Sequence, residues 1–226
     1  MKFRLLKIYF TFLLVVPAIL MAQDRIKYFH TYNDFIKGLD VNPAKVIGTS
    51  FYRGKYVSNR VSVLDHINAG GNLLTKTMFY YNQSGNLIVI DVYNPNSILI
   101  SRTSYLSDDI QAQMVEKIQG IDWFPTQKDY FTVTHFDSLR KPFLYNVKAS
   151  SGEDIGRLEL RYNDKGDLNM EIWIRSRDNK VIELTEFTFD YINSVQHIVQ
   201  YDSTGDEVSK VSVRIPVTEA DSTFGQ

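Results

Sequence analysis

Hydrophobic residues in this chain recur mostly at every second position, in short runs separated by polar turns. The clearest case is Tyr162-Asn163-Asp164-Lys165-Gly166-Asp167-Leu168. Two segments repeat its pattern: Tyr81-Asn82-Gln83-Ser84-Gly85-Asn86-Leu87 and Tyr201-Asp202-Ser203-Thr204-Gly205-Asp206. All three read Tyr, Asn or Asp, two free positions, Gly, then Asn or Asp. An Asn or Asp at the first turn position accepts a backbone N–H, and Gly supplies the left-handed residue that closes a three-residue hairpin loop. Each copy therefore predicts a strand reversal. In the middle copy, pairing Tyr162 with Leu168 sets Leu160 opposite Met170 and Leu158 opposite Ile172 on one apolar face. Arg157, Glu159, Arg161, Glu171, Trp173 and Arg175 then point outward. In the first copy, pairing Tyr81 with Leu87 puts Phe79 opposite Val89 and leaves both faces apolar, so that hairpin is expected to be covered on both sides.

The same reading predicts strands at 46–56, 73–81, 87–93, 98–105, 131–136, 143–148, 157–162, 168–175, 181–191, 195–201 and 208–215. Asn94-Pro95-Asn96-Ser97 is a further turn with Pro at its second position. In 181–191 the apolar phase changes between Leu184 and Phe187, which predicts a bulge near Thr185 and Glu186. Ser107 can cap a helix with Asp108 and Asp109 in its first turn and Ile110, Met114, Val115 and Ile118 along one stripe; that helix is expected on the second face of the 73–93 hairpin. Thr31-Tyr32-Asn33-Asp34 opens a shorter helix carrying Tyr32, Phe35, Ile36 and Leu39 on one side. The expected fold is mainly β, an antiparallel meander forming an open or partly curled sheet, with one or two short helices packed against it. It forms a single domain over 23–215, followed by a polar tail at 216–226.

The first 22 residues have a different character. Lys2, Arg4 and Lys7 precede an apolar run from Ile8 to Met21, and Ala22 is followed by polar Gln23-Asp24-Arg25. That layout predicts a signal peptide cleaved near Ala22 and a periplasmic or extracellular mature protein. The apolar run of about 14 residues falls short of the roughly 20 that a spanning helix needs, so no transmembrane anchor is expected after cleavage. Without cysteine there is no lipid-accepting thiol and no disulfide framework. Cleavage removes three of the 25 Lys and Arg and none of the 26 Asp and Glu, leaving 22 − 26 = −4. Nucleic acid is disfavoured as a partner by that charge and by the lack of any basic cluster.

The tyrosine-containing turns resemble the Tyr-Asp (YD) repeats of rearrangement-hotspot (Rhs) proteins and related modules of the bacterial cell surface. There a Tyr-Asp or Tyr-Asn pair precedes a Gly-containing turn, and successive hairpins build a continuous sheet. The likeness covers residues around 72–105 and 157–213. It implies an extracytoplasmic β-hairpin-repeat module and no catalytic residue. This chain departs from the pattern in its irregular spacing and its few copies.

Candidate chemistry is sparse. Glu159 and Glu171, opposite each other in the expected hairpin, form a carboxylate pair of the kind used in glycoside hydrolysis, although Arg157, Arg161 and Arg175 stand ready to neutralise them. Trp173, flanked by Arg157 and Arg175, forms a platform for a sugar or a protein if it is exposed; the loop around Trp123-Phe124-Pro125 is the alternative cover. His135 and Asp137 share one side of a strand without a third metal ligand. Asp202, Asp206 and Glu207 offer oxygen ligands for calcium, but not at helix–loop–helix spacing. His197 is expected opposite Val211 on an apolar side. His30 follows the cleavage site, and Asp65-His66 reads as a loop; neither has a partner visible in sequence. No nucleophile elbow, phosphate loop or dinucleotide fingerprint occurs, so no metal or cofactor is expected.

Three function classes follow: a non-catalytic exported module that binds an envelope or extracellular protein or glycan, or supports an envelope assembly; a periplasmic carrier of a lipid or other apolar ligand; and a hydrolase using the outward carboxylates. An enclosed aromatic cavity would favour the carrier, a solid core the module, and a cleft converging on Glu159 and Glu171 the hydrolase.

Overall fold

A computed structural model describes residues 24–118 and 130–215. The segments expected to be a signal peptide, a loop around Trp123-Phe124-Pro125 and a polar tail lie outside these residues. The described residues fold mainly as β, with thirteen strands and two short α-helices. Two compact units divide between Ile100 and Ser101. Within each, consecutive strands are antiparallel neighbours in chain order, and the meander does not close.

The first unit holds β1 (Arg25–Phe29), α1 (Tyr32–Lys37), β2 (Phe51–Val57), β3 (Arg60–Ile67), β4 (Leu73–Tyr81) and β5 (Leu87–Tyr93). At the start of α1, Thr31 Oγ1 accepts from Asp34 N while the Asp34 carboxylate accepts from Thr31 N, the capping box that the sequence spells. Tyr32 and Phe35 pack against Phe29, Tyr52 and Phe79. Ile36 and Leu39, expected on the same side, are exposed. Two strands escaped the sequence pattern, β1 and β3. The turn before β3 is Ser58-Asn59, both residues left-handed (φ 49° and 64°) without a glycine, so no punctuation marked it. Asp65 and His66 consequently lie in a strand, not in a loop.

Strand β6 (Leu99–Ser104) leads into the second unit, with α2 (Asp109–Ile118), β7 (Tyr130–Phe136), β8 (Pro142–Ala149), β9 (Asp154–Tyr162), β10 (Leu168–Arg175), β11 (Lys180–Asp190), β12 (Val195–Tyr201) and β13 (Glu207–Arg214). Asp108, not Ser107, caps α2: its Oδ1 accepts from Gln111 N at 2.7 Å. The helix packs on β7, β8 and β9 instead of the 73–93 hairpin. Met114 and Ile118 are fully buried there with Val147, Ala149, Ile155, Leu158 and Trp173. The approach is close because position 156 is glycine. A Cβ at that position would overlap Met114 Sδ and lie 2.9 Å from the Ile174 carbonyl oxygen.

The three predicted turns form as read, and four more share their hydrogen bonds. At Asn68, Asn82, Asn94, Asp137, Ala149, Asn163 and Asp202, the first residue's N–H donates to the carbonyl four residues on, and its own carbonyl accepts from the N–H three residues on. The fourth residue is left-handed throughout: Gly in five turns, Ser97 (φ 61°) and Arg140 (φ 64°) in the others. Side-chain oxygens of Asn163 and Asp202 each accept two backbone N–H groups, from Lys165 and Asp167 and from Thr204 and Asp206.

In six of these turns one residue is then left without a partner, six places after the turn's first residue. It is Leu74 after Asn68, Ile88 after Asn82, Phe143 after Asp137, Ile155 after Ala149, Asn169 after Asn163 and Val208 after Asp202. Each bulge inverts the phase of the outgoing strand. Tyr162 does pair with Leu168, but beyond Asn169 the register moves by one, setting Leu160 opposite Glu171 and Leu158 opposite Trp173. By the same mechanism Phe79 opposes Ile90 instead of Val89, and His197 opposes Ser212 instead of Val211. In β11 the irregularity falls at Ile182, not at Thr185 and Glu186.

Gly156→Ala tests the helix seat. The added methyl group forces either Met114 or the β10 backbone to move, and a loss of about 1–3 kcal/mol is expected in urea unfolding.

Candidate functional site

The bulge at Asn169 redistributes the residues that carried the chemical hypotheses. Arg157, Glu159 and Arg161 remain on the face away from α2, whereas Glu171, Trp173 and Arg175 move to the face that the helix covers. Glu159 is thus not opposite Glu171, and the carboxylate pair on which hydrolysis was argued does not form. Glu159 instead accepts from Arg157 Nε at 2.9 Å. Arg175 lies beside Asp178 in the following turn and holds that carboxyl at about 2.

Trp173 is 3% exposed, buried among Met114, Ile118 and Leu158, so it is no platform. Its cover within the described residues is α2. Lys117 places Nζ 5.0 Å from the Trp173 ring centroid and 2.6 Å from a Glu183 carboxylate oxygen. Both charged partners are only about one-fifth exposed, so the pair satisfies a charge that would be costly to leave alone. Glu171 has no such ion-pair partner among the described residues. Its pKa is raised, chiefly by burial and then by the Glu183 charge, with Lys117 opposing. A half-buried acid with a raised pKa is a candidate proton donor, and this one lies on the face of the sheet against which the helix packs.

The remaining sequence candidates have structural partners. Asp137 Oδ1 accepts from Leu139 N and Lys141 N, closing its turn. His135 lies against Phe143, and its pKa is lowered by burial and by Lys148. Asp202 accepts from the Thr204 hydroxyl and from backbone N–H groups, and these bonds lower its pKa. Among the described residues no three His, Asp or Glu side chains converge on a metal-sized site. His197 Nδ1 meets Ser212 Oγ at 2.8 Å. His66 stacks on Tyr52 with centroids 4.3 Å apart, and its Nε2 meets Ser50 Oγ at 3.0 Å. His30 is exposed.

The tyrosines of the repeated turns reveal their role only in three dimensions. Tyr81 donates its hydroxyl to the Val61 carbonyl at 2.9 Å, and Tyr162 donates to the Pro142 carbonyl at 2.7 Å. Each acceptor is the residue after a cation that sits over the ring, Arg60 at 5.7 Å and Lys141 at 5.0 Å from the centroid. The same cations reach the turn glycines: a Cβ on Gly85 would strike the Arg60 guanidinium, one on Gly166 would strike Lys141 Nζ, and Lys141 donates to the Gly166 carbonyl. Burial raises the pKa of both tyrosines.

Among the described residues of the second unit, two open grooves can be outlined. One, about 540 Å³, runs beside the start of α2, between Tyr105, Tyr130, Phe131 and the turn at 149–153, with Gln111 in its wall. The other, about 480 Å³, lies on the opposite face beside Leu184, Glu186 and Tyr201. Sequence reasoning missed the first. Gln111 was the available signal, a polar residue in step with Met114 and Ile118 on the buried stripe.

Two measurements test this arrangement. Glu171 has a folded pKa above its unfolded value, so the folded state holds the extra proton between them and stability falls as pH rises through that window. Glu171→Gln, which cannot ionise, is expected to unfold at higher temperature than the parent at pH 7 and to lose that advantage below pH 4. In Trp123→Phe, the remaining Trp173 is expected to resist iodide quenching in the native state and to quench after unfolding.

No protein-family model and no curated protein matches the chain. Among solved structures it has a distant likeness to the crystal structure of TcdB2-TccC3-TEV, with 10% identity, 74% of this chain and 12% of that chain covered, and a TM-score of 0.20. For TcdB2-TccC3-Cdc42 the figures are 12% identity, 76% and 12% coverage and a TM-score of 0.19, and TcdB2-TccC3 itself has the same values. This chain spans about 12% of the length of the proteins it is matched to.

Proposed function

We propose that this chain is an exported, non-catalytic β-hairpin-repeat module that holds a fixed surface for a protein or glycan partner of the envelope or extracellular space. The observation that carries this reading is the repeated tie between hairpins: Arg60 with Tyr81 and Lys141 with Tyr162 bind each turn to the strand start before it. Such ties stiffen a sheet without enclosing a ligand. Of the carboxylate pair considered for catalysis, Glu159 is occupied by Arg157, and Glu171 lies on the other face of the sheet. A carrier of apolar molecules needs an enclosed cavity with an apolar lining, whereas the two grooves described are open and carry hydroxyl or carboxylate groups in their walls. The basic and then apolar first 22 residues support export.

The test expresses the precursor in a bacterial host with a tag at the C-terminus. The recovered protein is expected to leave with the periplasmic or culture fraction and to begin at or near Gln23; a cytosolic product that keeps Met1 refutes export. Immobilised on a support, it is expected to retain a purified envelope protein or polysaccharide fraction saturably. Retention of none, or release of reducing ends from a polysaccharide, overturns the binding-module reading.

A further inference from the structure

We propose that the first unit docks on an anionic lipid surface through the corner formed by α1 and the segment leading into β2. The inference goes beyond the binding-module reading and does not depend on which protein or glycan that module takes. The net charge of the chain conceals an uneven distribution. Residues 24–100 carry 8 Lys and Arg against 5 Asp and Glu, 8 − 5 = +3, whereas residues 101–226 carry 14 against 21, 14 − 21 = −7. A negatively charged surface therefore attracts the first unit and repels the rest of the chain. Most cations of the first unit are engaged. Lys27 pairs with Asp40, Lys55 with Asp24 and Arg53 with Asp65, and Arg60 lies over the Tyr81 ring. Lys37 and Lys45 are exposed and have no ion-pair partner among the described residues. The acids of the same segment are taken, Asp34 by the Thr31 N–H and Asp40 by Lys27.

The fold gathers these two lysines with three exposed aliphatic side chains. Between β1 and β2 the chain makes an excursion that returns twice to the same place: Val41 N donates to the Tyr28 carbonyl at 2.8 Å, and the Phe51 ring that opens β2 lies 6.0 Å from the Tyr28 ring. Phe35 fixes α1 against Phe29, with ring centroids 5.5 Å apart, and Val46, 3% exposed, fixes the following turn. The neighbours of these anchors face water: Ile36 is 65% exposed, Leu39 57% and Ile47 79%. The corner adjoins the Phe29 end of β1, whereas the preceding residues join that strand at Arg25. Isolated surface aliphatics need no explanation, but here three, each more than half exposed, fall within twelve positions and are interleaved with two free lysines. A protein pocket would have to fit side chains carried by a helix, the segment after its C-cap and a separate turn. A fluid bilayer admits each independently, while the lysine stems lie along the apolar boundary and their ammonium groups meet headgroup phosphates. A neutral bilayer offers the lysines no net counter-charge, and a soluble polyanion leaves the aliphatics in water. An anionic lipid surface satisfies both.

The chain from Gln23 onward, which contains every described residue, is cosedimented with vesicles of equimolar phosphatidylcholine and phosphatidylglycerol and with vesicles of phosphatidylcholine alone. Soluble heparin, titrated calorimetrically, is the polyanion contrast. Binding to the mixed vesicles is expected, weakening as salt screens the charges and at least about tenfold weaker on phosphatidylcholine. Lys37→Glu with Lys45→Glu, and separately Leu39→Ser with Ile47→Ser, are each expected to weaken binding by about tenfold or more. All four side chains are exposed, so the thermal midpoints are expected to stay with that of the parent. Lys210→Glu, at an exposed cation of β13, is expected to bind as the parent does. The proposal is overturned by a folded chain that does not bind the mixed vesicles, by equal affinity for the neutral ones, or by binding that survives both pairs of substitutions. Heparin binding without vesicle binding also overturns it and makes the surface one for a soluble polyanion. A chain that fails these tests yet retains an envelope protein or polysaccharide saturably leaves the binding-module reading standing.

Discussion

A short-range constraint underlies everything else in this protein: the way a hairpin turn ends. In most of the seven turns a side-chain oxygen at the first position holds backbone N–H groups, and a left-handed residue three places on closes the loop. That geometry is set by residues within five positions of one another and needs no tertiary help. Its consequence is not local. In six of these turns the partner strand leaves one residue unopposed shortly afterwards, so each return strand presents its side chains with inverted phase. Which side chains face the helix and which face water therefore depends on one skipped position per hairpin.

The hairpins are joined by a second device that uses the same turn. The tyrosine before the turn spends its hydroxyl on a carbonyl at the start of the preceding strand, and a cation from that strand start covers the ring and reaches the turn glycine. Glycine is needed there twice over. The positive φ disfavours a side chain, and the cation occupies the space a Cβ would take. The third copy, Tyr201, lacks this arrangement and instead approaches Glu186 at 3.4 Å. A shared sequence motif thus carries one backbone geometry in all three copies but the interhairpin tie in two.

In the second unit the same logic separates charge from binding surface. On the helix side of the sheet Lys117 lies between Glu183 and the Trp173 ring, and half-buried Glu171 has a raised pKa. These groups belong to the helix seat, which Gly156 makes possible by admitting Met114. Beside the start of the helix lies an open groove, lined in part by Tyr105, Tyr130 and Phe131.

Several features were legible in the sequence because their causes are local. The three Tyr-Asx-x-x-Gly turns, the Thr31–Asp34 capping box, the Met114–Ile118 stripe and the open antiparallel meander all follow from residues close together in the chain. Strand β3 was hidden because Ser58 and Asn59 adopt positive φ without glycine to announce it. The destination of Trp173 was decided by tertiary structure alone. Alternation repeats every two residues and carries no memory of phase once a residue is skipped, so both faces of β10 were open to it. The choice was made by burial: with Asn169 bulged, Trp173 enters the contact among Met114, Ile118 and Leu158, and distant parts of the chain supply that contact.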